Sequence, residues 1–235
     1  MRAEILFPEV CNLYGDLQNV YYLQRCCPAL EIVETDLKSK PRFPEEDVTL
    51  VFMGSTTEQG LKLAADALRP YREAIAEKVD AGQLFLATGN ALDILGDAID
   101  SDAAGRIDGL GLLPTRAEYH MMQRHNSFFV GKFEDMDIVG FKSLFGHSHG
   151  MGDALFDTVK GVGRDGTPQS GEGFRRGGLM ATYLIGPLLI LNPPLCKWLL
   201  RQMGADDTLA FEEAAMEAYE ARLAEFRDEK RSYLY

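Results

Sequence analysis

Residues 83–96 have the pattern of a strand, a sharp turn and a short helix. Residues 84–87 form a brief apolar run, which is typical of a strand buried on both faces. Thr88, Gly89 and Asn90 then favour a turn, because glycine tolerates positive φ and asparagine tolerates the left-handed region. A strand, elbow and helix expose one residue at the tip of an α/β sheet, where a nucleophile would stand. Here that residue is Gly89, which has no side chain to attack with.

Two further polar loops follow apolar runs that we predict to be strands. The run at 48–53 leads into Gly54, Ser55 and Glu58, and an earlier loop ends at Asp16. Ligands of α/β proteins bind at the carboxyl ends of parallel strands, so we expect these loops and the elbow to share one pocket. The two carboxylates are open to two interpretations, either as pocket groups or as caps of the helices that follow them.

Other residues could replace a nucleophile or hold a metal. The Thr88 hydroxyl would need an adjacent base, and its side chain is expected to face the helix layer. His147 and His149 would share one face of a strand and could bind a metal with His125, or they could be two solvated residues of a Gly-rich segment. Residues 161–173 are rich in glycine but lack the GK[ST] of a phosphate-binding loop. We therefore predict neither a metal nor a cofactor.

The elements that position these residues alternate along the first hundred residues. Strands are predicted at 4–7, 30–33, 48–53 and 84–87, with helices between them, which favours βαβ crossovers and a parallel sheet. Pro70 should divide the helical stretch 58–80 into two helices. Gly96 is expected to end the elbow helix as a C-cap.

The second half of the chain has a different pattern, which predicts an antiparallel extension of the sheet. Strands are expected at 127–133, 137–141, 154–159 and 179–184, and helices at 194–203 and 209–231. The apolar stripe of the last helix is expected to pack on its own domain; it consists of Phe211, Ala215, Ala218, Tyr219, Leu223 and Phe226. We predict an α/β fold in which residues 1–235 form a single domain.

Composition excludes several classes of protein. The 235 residues carry a formal net charge of −12 and a pI near 4.8, which argues against nucleic-acid binding. The four cysteines match neither a zinc site nor a disulfide framework. The first ten residues do not have the pattern of a signal peptide, and the most apolar segment, 179–191, is too short to span a bilayer. We expect a cytoplasmic protein without membrane insertion.

A series of motifs occurs in one order along nearly the whole chain. They are Asn12-Leu13-Tyr14-Gly15-Asp16, Gly54-Ser55 with Glu58-Gln59, the elbow, Asp108-Gly109-Leu110-Gly111-Leu112, Val139-Gly140-Phe141, Gly161-Val162-Gly163, Glu172-Gly173 and residues 181–189. With these motifs the chain resembles class I (triad) glutamine amidotransferases of the cobyric acid synthase-like branch. Within that branch it is most similar to amidotransferase subunits of lipid II isoglutaminyl synthase. The resemblance implies a flavodoxin-like three-layer sandwich and a Mur-ligase-like partner subunit.

The catalytic positions that the resemblance implies are both altered. The family places a cysteine nucleophile in a Cys-Gly-Gly elbow, where this chain has Gly89-Asn90-Ala91. It places the histidine base in a Tyr-Leu-His-Gly-Pro type motif, where this chain has Ile185. Neither replacement can form a thioester or transfer a proton, and by analogy with triad knockouts such a loss removes on the order of 10⁶ in rate. The sequence therefore predicts an amidotransferase-type subunit without its own glutaminase activity.

Two functional hypotheses follow. In the first, the chain is a binding or regulatory partner of a Mur-ligase-like, amide-forming enzyme in cell-wall or cofactor amidation, with a small-molecule ligand at the elbow pocket. The alternative is an active amidotransferase or hydrolase of changed chemistry, using other pocket residues or those of a partner. His147 is a candidate pocket residue, because 142–150 depart from the family's polar segment. Gly89 should leave open space near the Asn90 backbone, and Ile185 should make that space more apolar. Gly89→Cys together with Ile185→His is expected to restore slow glutaminase activity, whereas either change alone is not.

Overall fold

The computed structural model describes residues 1–234, which form thirteen strands and seven α-helices. The strands are β1 Arg2–Leu6, β2 Glu31–Thr35, β3 Leu50–Met53, β4 Leu84–Thr88, β5 Ala98–Ser101, β6 Gly105–Asp108, β7 Thr115–Tyr119, β8 His125–Phe133, β9 Met136–Leu144, β10 Gly146–Gly150, β11 Asp157–Lys160, β12 Phe174–Arg176 and β13 Leu179–Thr182. The helices are α1 Gln18–Cys26, α2 Glu58–Leu68, α3 Arg72–Asp80, α4 Ala91–Ile94, α5 Leu188–Leu191, α6 Pro193–Gln202 and α7 Glu212–Arg227.

A six-stranded sheet forms the centre of the molecule, in the order β12-β13-β4-β3-β1-β2. Its five strands from β13 to β2 are parallel, and β12 pairs antiparallel with β13. The order of the parallel strands is that of flavodoxin-like doubly wound sheets, which bind ligands where the strand order reverses. The predicted α/β fold with a mostly parallel sheet and an antiparallel extension is confirmed.

Alternate residues of the central strands enter two separate cores. In β3, Val51 and Met53 pack in a core that contains Leu61 of α2, whereas Leu50 and Phe52 pack in a second core on the other face. Both faces are therefore covered, as period-2 alternation requires of a sheet between helix layers. The second core also contains residues of α1 and α6. The sandwich consequently has three layers.

Local signals fix the helices that carry the loops of the central sheet. Thr57 caps α2, because its Oγ1 accepts a hydrogen bond from the Gly60 amide at 3.2 Å. A 3₁₀ turn, Arg69–Tyr71, contains Pro70 and separates α2 from α3, as predicted. Among residues 1–234 no helix is both long and apolar enough to cross a membrane.

The extension differs from the prediction in its details. Most of its strands form two smaller sheets, β10-β7-β5-β6 and β11-β8-β9, and β5 pairs in parallel with β7. Strands β5, β6, β7, β10 and β12 were missed, because they lack the continuous apolar runs of β3, β4 and β13. Helix α7 packs on β8 and β9 through Tyr219 and Phe226, although Phe211 of the predicted stripe is 70% exposed.

Candidate functional site

The elbow between β4 and α4 has the predicted geometry. Gly89 adopts φ +61°, a left-handed conformation that favours glycine, and α4 follows directly. The prediction that Gly96 ends the elbow helix as a C-cap is wrong, because the C-cap of α4 is Leu95 and Gly96 lacks the positive φ of a glycine cap. Gly96 instead packs against β7, where an added Cβ would lie 2.6 Å from Thr115 Oγ1. Its small size permits this close approach.

A cavity of about 200 Å³ lies at the carboxyl ends of the parallel strands. All three loops contribute to it, as predicted from their positions after β1, β3 and β4. Its walls are formed by Leu13, Tyr14, Ser55, Thr56, Thr57, Glu58, Gly89, Asn90, Tyr119, Arg124, Ser143, Leu144, Phe145, Tyr183 and Ile185. None of these described lining residues is a cysteine or a histidine.

Gly89 and Ile185 lie side by side in this cavity. Strand β13 pairs in parallel with β4, with Thr182 opposite Thr88, so the residues after both strands emerge together. A Cβ added to Gly89 would lie 3.3 Å from Ile185 Cγ2. The same Cβ would lie 2.5 Å from Ser55 Cβ, closer than real Cβ contacts. A side chain at position 89 would therefore meet Ser55, whereas the cavity beside Asn90 and Ile185 is open.

Asp16 lies beneath the cavity and holds two of its loops together. Its carboxylate accepts hydrogen bonds from Ser55 Oγ at 2.5 Å and from Thr88 Oγ1 at 2.8 Å, and it is 1% exposed. Neither sequence interpretation of Asp16 holds, since it is not on the cavity wall and α1 has no side-chain cap. Thr88 is fully buried and points to Asp16, and Gly54 packs tightly against it, where a Cβ would lie 2.5 Å from Asp16 Cβ.

Glu58 and Asn90 do line the cavity. Glu58 stands in the first turn of α2, whose side-chain cap is Thr57. Asn90 connects the elbow to the loop after β3. Its Oδ1 accepts a hydrogen bond from the Thr56 amide at 2.9 Å, and its Nδ2 donates to the Thr56 carbonyl at 2.8 Å. This two-way amide contact fixes the elbow against the loop after β3.

Sequence reasoning missed Arg124, which gives the cavity its positive charge. The Arg124 guanidinium lies over the Phe145 ring, 4.5 Å from its centroid. Neither Arg124 nor Glu58 forms an ion pair within the described part of the chain. One small cavity thus carries an unneutralised cation and an unneutralised anion. A lone arginine in a polar loop offers no sequence signal of such a role.

Sequence reasoning also missed Asp93, one turn after the elbow. Tyr119 Oη donates to Asp93 Oδ2 at 2.6 Å, and Tyr183 Oη donates to Asp93 Oδ1 at 2.5 Å. Burial raises the pKa of Asp93 to about 7, against the opposing effect of the two phenols. Both tyrosines line the cavity, whereas the carboxylate lies behind them. From the sequence alone, an aspartate in a short helix is expected to be exposed, because its partners lie far away along the chain.

His147 lies in β10 and outside the cavity, contrary to its predicted place in the pocket. Its ring packs edge-on against His125, with centroids 5.2 Å apart. Burial, followed by the charges of His125 and Lys142, lowers the pKa of His147 to about 4. His149 is exposed, and residues 1–234 contain no group of three or more His, Cys, Asp or Glu side chains placed to hold a metal. The metal hypothesis therefore lacks a ligand set in this part of the chain.

None of the four cysteines lines the cavity. Burial raises the pKa of Cys11 to about 12. The side chains nearest to a Cβ at position 89 are those of Ser55 and Ile185. Ser55 is 1% exposed, and its hydroxyl donates a hydrogen bond to the Asp16 carboxylate.

Two known proteins are similar to this chain over most of its length. No family model matches the chain. It is 24% identical over 205 residues to the lipid II isoglutaminyl synthase (glutamine-hydrolyzing) subunit GatD of Staphylococcus aureus, covering 86% of this chain and 83% of that protein. It is 26% identical over 200 residues to the GatD subunit of Streptococcus pneumoniae, covering 81% and 75%.

Solved structures share the fold at lower sequence identity. The crystal structure of a glutamine amidotransferase superposes with a TM-score of 0.56 at 15% identity, covering 86% of this chain and 99% of that one. A glutamine amidotransferase from Thermotoga maritima superposes with a TM-score of 0.52 at 10% identity, covering 95% and 85%. The fold, the elbow and these relatives together identify the chain as a glutamine amidotransferase-like protein that is related to GatD.

Proposed function

We propose that this chain is a degenerate amidotransferase-type subunit without its own glutaminase activity. In this role it binds and regulates a Mur-ligase-like, amide-forming enzyme in cell-wall or cofactor amidation. The observation that carries the proposal is the adjacency of Gly89 and Ile185 at the tip of the elbow. Its relatives are named as subunits of a glutamine-hydrolyzing lipid II isoglutaminyl synthase, which supports the assignment to an assembly.

The chemistry of the site supports the absence of glutamine hydrolysis. Attack on a carboxamide by covalent catalysis needs an ionisable nucleophile and a base that can return a proton to the leaving amine. Gly89 offers no atom for a thioester, and Ile185 offers none for proton transfer. The cavity can still hold a ligand, because most of its lining is formed by residues other than Gly89 and Ile185.

The charges of the cavity support a small zwitterionic ligand. Arg124 can bind a carboxylate and Glu58 an ammonium group, and neither is neutralised by an ion pair of the described chain. A volume of about 200 Å³ is below the range typical of drug-sized ligand sites, which favours a molecule of amino-acid size.

Glutamine turnover tests the loss of activity. The purified chain, alone and with a co-purified ligase, should release no more ammonia from glutamine than buffer does. The matched control is Arg124→Ala, which changes the cavity without touching the elbow. Turnover above background that disappears in this variant would refute the proposal.

Affinity purification followed by mass spectrometry tests the partner, and the expected protein carries Mur-ligase-like ATP-binding motifs.

The alternative function, an active hydrolase of changed chemistry, is favoured by one observation. Ser55 Oγ donates to the buried Asp16 carboxylate, and a hydroxyl beside a carboxylate is the arrangement of a nucleophile with a base. A serine-reactive fluorophosphonate distinguishes the two functions: covalent mass on Ser55, absent in Ser55→Ala, supports the hydrolase. If a partner supplies the nucleophile, a glutamine-analogue chloroketone should label a cysteine of the partner and leave this chain unmodified.

A further inference from the structure

Asp93 connects the two tyrosines of the cavity wall. Its two carboxylate oxygens each accept one phenol, Tyr119 at 2.6 Å and Tyr183 at 2.5 Å. The tyrosines come from β7 and from the segment after β13, so one carboxylate joins the elbow helix to both walls. One carboxylate therefore restrains the phenol oxygens of both rings.

The surroundings of Asp93 disfavour its charged form. The side chain is 1% exposed, and none of the described ion pairs includes it. Burial is the largest cause that raises its pKa, and the charge of Glu172 adds to it. Glu58 places a further negative charge near Tyr119. The nearby cation is Lys142, whose Nζ lies 5.9 Å from the ring centroid of Tyr183 and forms an ion pair with Glu172.

Protonation of this carboxyl would change its hydrogen bonds. A carboxylate accepts from both phenols, whereas a protonated carboxyl carries an O–H that must itself donate. Ser148 Oγ is buried beside Asp93 and Tyr183 without a partner at full hydrogen-bonding geometry. Its hydroxyl can turn toward the charged carboxylate as a donor, or accept from the protonated carboxyl. A second arrangement of the same groups is therefore available, in which one phenol is no longer held.

We propose that Asp93 is a positioning residue whose ionised carboxylate fixes Tyr119 and Tyr183 against the cavity, so that proton uptake loosens this wall and weakens ligand binding. The proposal rests on the binding role proposed above for the cavity. Its experiment therefore observes the tyrosines directly and the ligand separately.

The direct experiment is NMR of the full chain with ring-¹³C tyrosine, titrated from about pH 5 to about pH 9, a range that spans the raised pKa of Asp93. Signals are assigned with Tyr119→Phe and Tyr183→Phe. We expect the two tyrosines to shift together with one midpoint near pH 7, and this shift to be absent in Asp93→Asn. Constant signals over this range, or the same shift in Asp93→Asn, would overturn the proposal.

A second variant keeps the test decisive if Asp93→Asn does not fold. Tyr183→Phe removes one donor to the carboxylate, which disfavours the charged form. The midpoint of the Tyr119 signal should then rise by about one pH unit, the effect of one hydrogen bond to a charged group. An unchanged or lowered midpoint would contradict a role for Asp93.

L-Glutamine is the probe for the ligand. Its dissociation constant should rise about tenfold as pH falls one unit below the midpoint in the wild type, and stay constant in Asp93→Asn. The same pH dependence in both proteins would refute the link between Asp93 and binding. Absence of any glutamine binding counts against the proposed ligand, and the tyrosine titration then decides the role of Asp93 by itself.

Discussion

Ser55 lies against Gly89, and the Ser55 Cβ atom already occupies the space between the two residues. A Cβ on Gly89 would lie 2.5 Å from Ser55 Cβ and 3.3 Å from Ser55 Cα. A side chain at either position therefore excludes one at the other, unless the backbone moves. Rotation of the Ser55 side chain would break the hydrogen bond of its Oγ to Asp16 but would not move its Cβ, so only a backbone shift can relieve the overlap. A residue larger than glycine at position 89 would consequently meet Ser55 as well as Ile185.

Restoring a nucleophile and a base should therefore fail unless Ser55 is also changed. We expect Gly89→Cys with Ile185→His to remain inactive, contrary to the sequence-based expectation, because the new Cβ overlaps Ser55. Adding Ser55→Gly should allow measurable ammonia release from glutamine, followed by a coupled glutamate dehydrogenase assay. The matched control is Ser55→Gly, Gly89→Ala and Ile185→His, which has the same space without a thiol. Equal activity of the double and triple variants would contradict this account.

At the scale of elements, a buried ion pair connects the Gly-rich loop to the end of β13. Lys142 Nζ donates to the carbonyls of Val162 at 2.6 Å and Gly163 at 3.0 Å, and it pairs with Glu172. The other oxygen of Glu172 accepts from the Tyr183 amide at 2.7 Å. These contacts fix residues 161–173 and the segment that carries Ile185 relative to each other. Burial lowers the pKa of Lys142, and the charge of Glu172 opposes this effect.

Breaking this pair on one side should be costly. Lys142→Met leaves a buried carboxylate without its cation, and we expect a loss of about 3–5 kcal/mol in the free energy of unfolding. The double variant with Glu172→Gln should lose less than the sum of the single changes. Urea denaturation measures both. The control is Lys132→Met, which removes the exposed pair with Asp137 and should cost less than about 1 kcal/mol. Equal losses in the two lysine variants would show that the buried pair has no special role.

At the scale of the whole molecule, groups outside the cavity couple stability to pH. The folded-state pKa of His147 is about 4, below its ordinary value of 6.5, because the ring is buried beside other groups that can be positively charged. The unfolded chain therefore binds a proton at His147 before the folded chain does. By linkage, this residue reduces stability as pH falls from about 6.5 toward 4 and has no such effect above that window.

Replacement of His147 should reduce the sensitivity of the fold to acid. The difference in Tm between His147→Gln and the wild type should move in favour of the variant as pH falls through this window. His149→Gln on the same strand is the control, because that side chain is exposed. A Tm difference that stays constant from pH 7 to about pH 4 would contradict the lowered pKa.

The sequence by itself determined the parallel sheet, the break at Pro70, the elbow, and the residue types at its tip. Alternating strands and helices leave periodic patterns, and a glycine or an isoleucine at a given position is a chemical fact before any folding. The tertiary structure alone decided that Ser55 fills the space beside Gly89, that Asp16 lies under the cavity, and that Asp93 holds two tyrosines. These contacts join residues 26–90 positions apart, and their distances depend on the order of the strands in the sheet. Local sequence patterns do not specify that order, so the site could be located from the sequence but its interior could not.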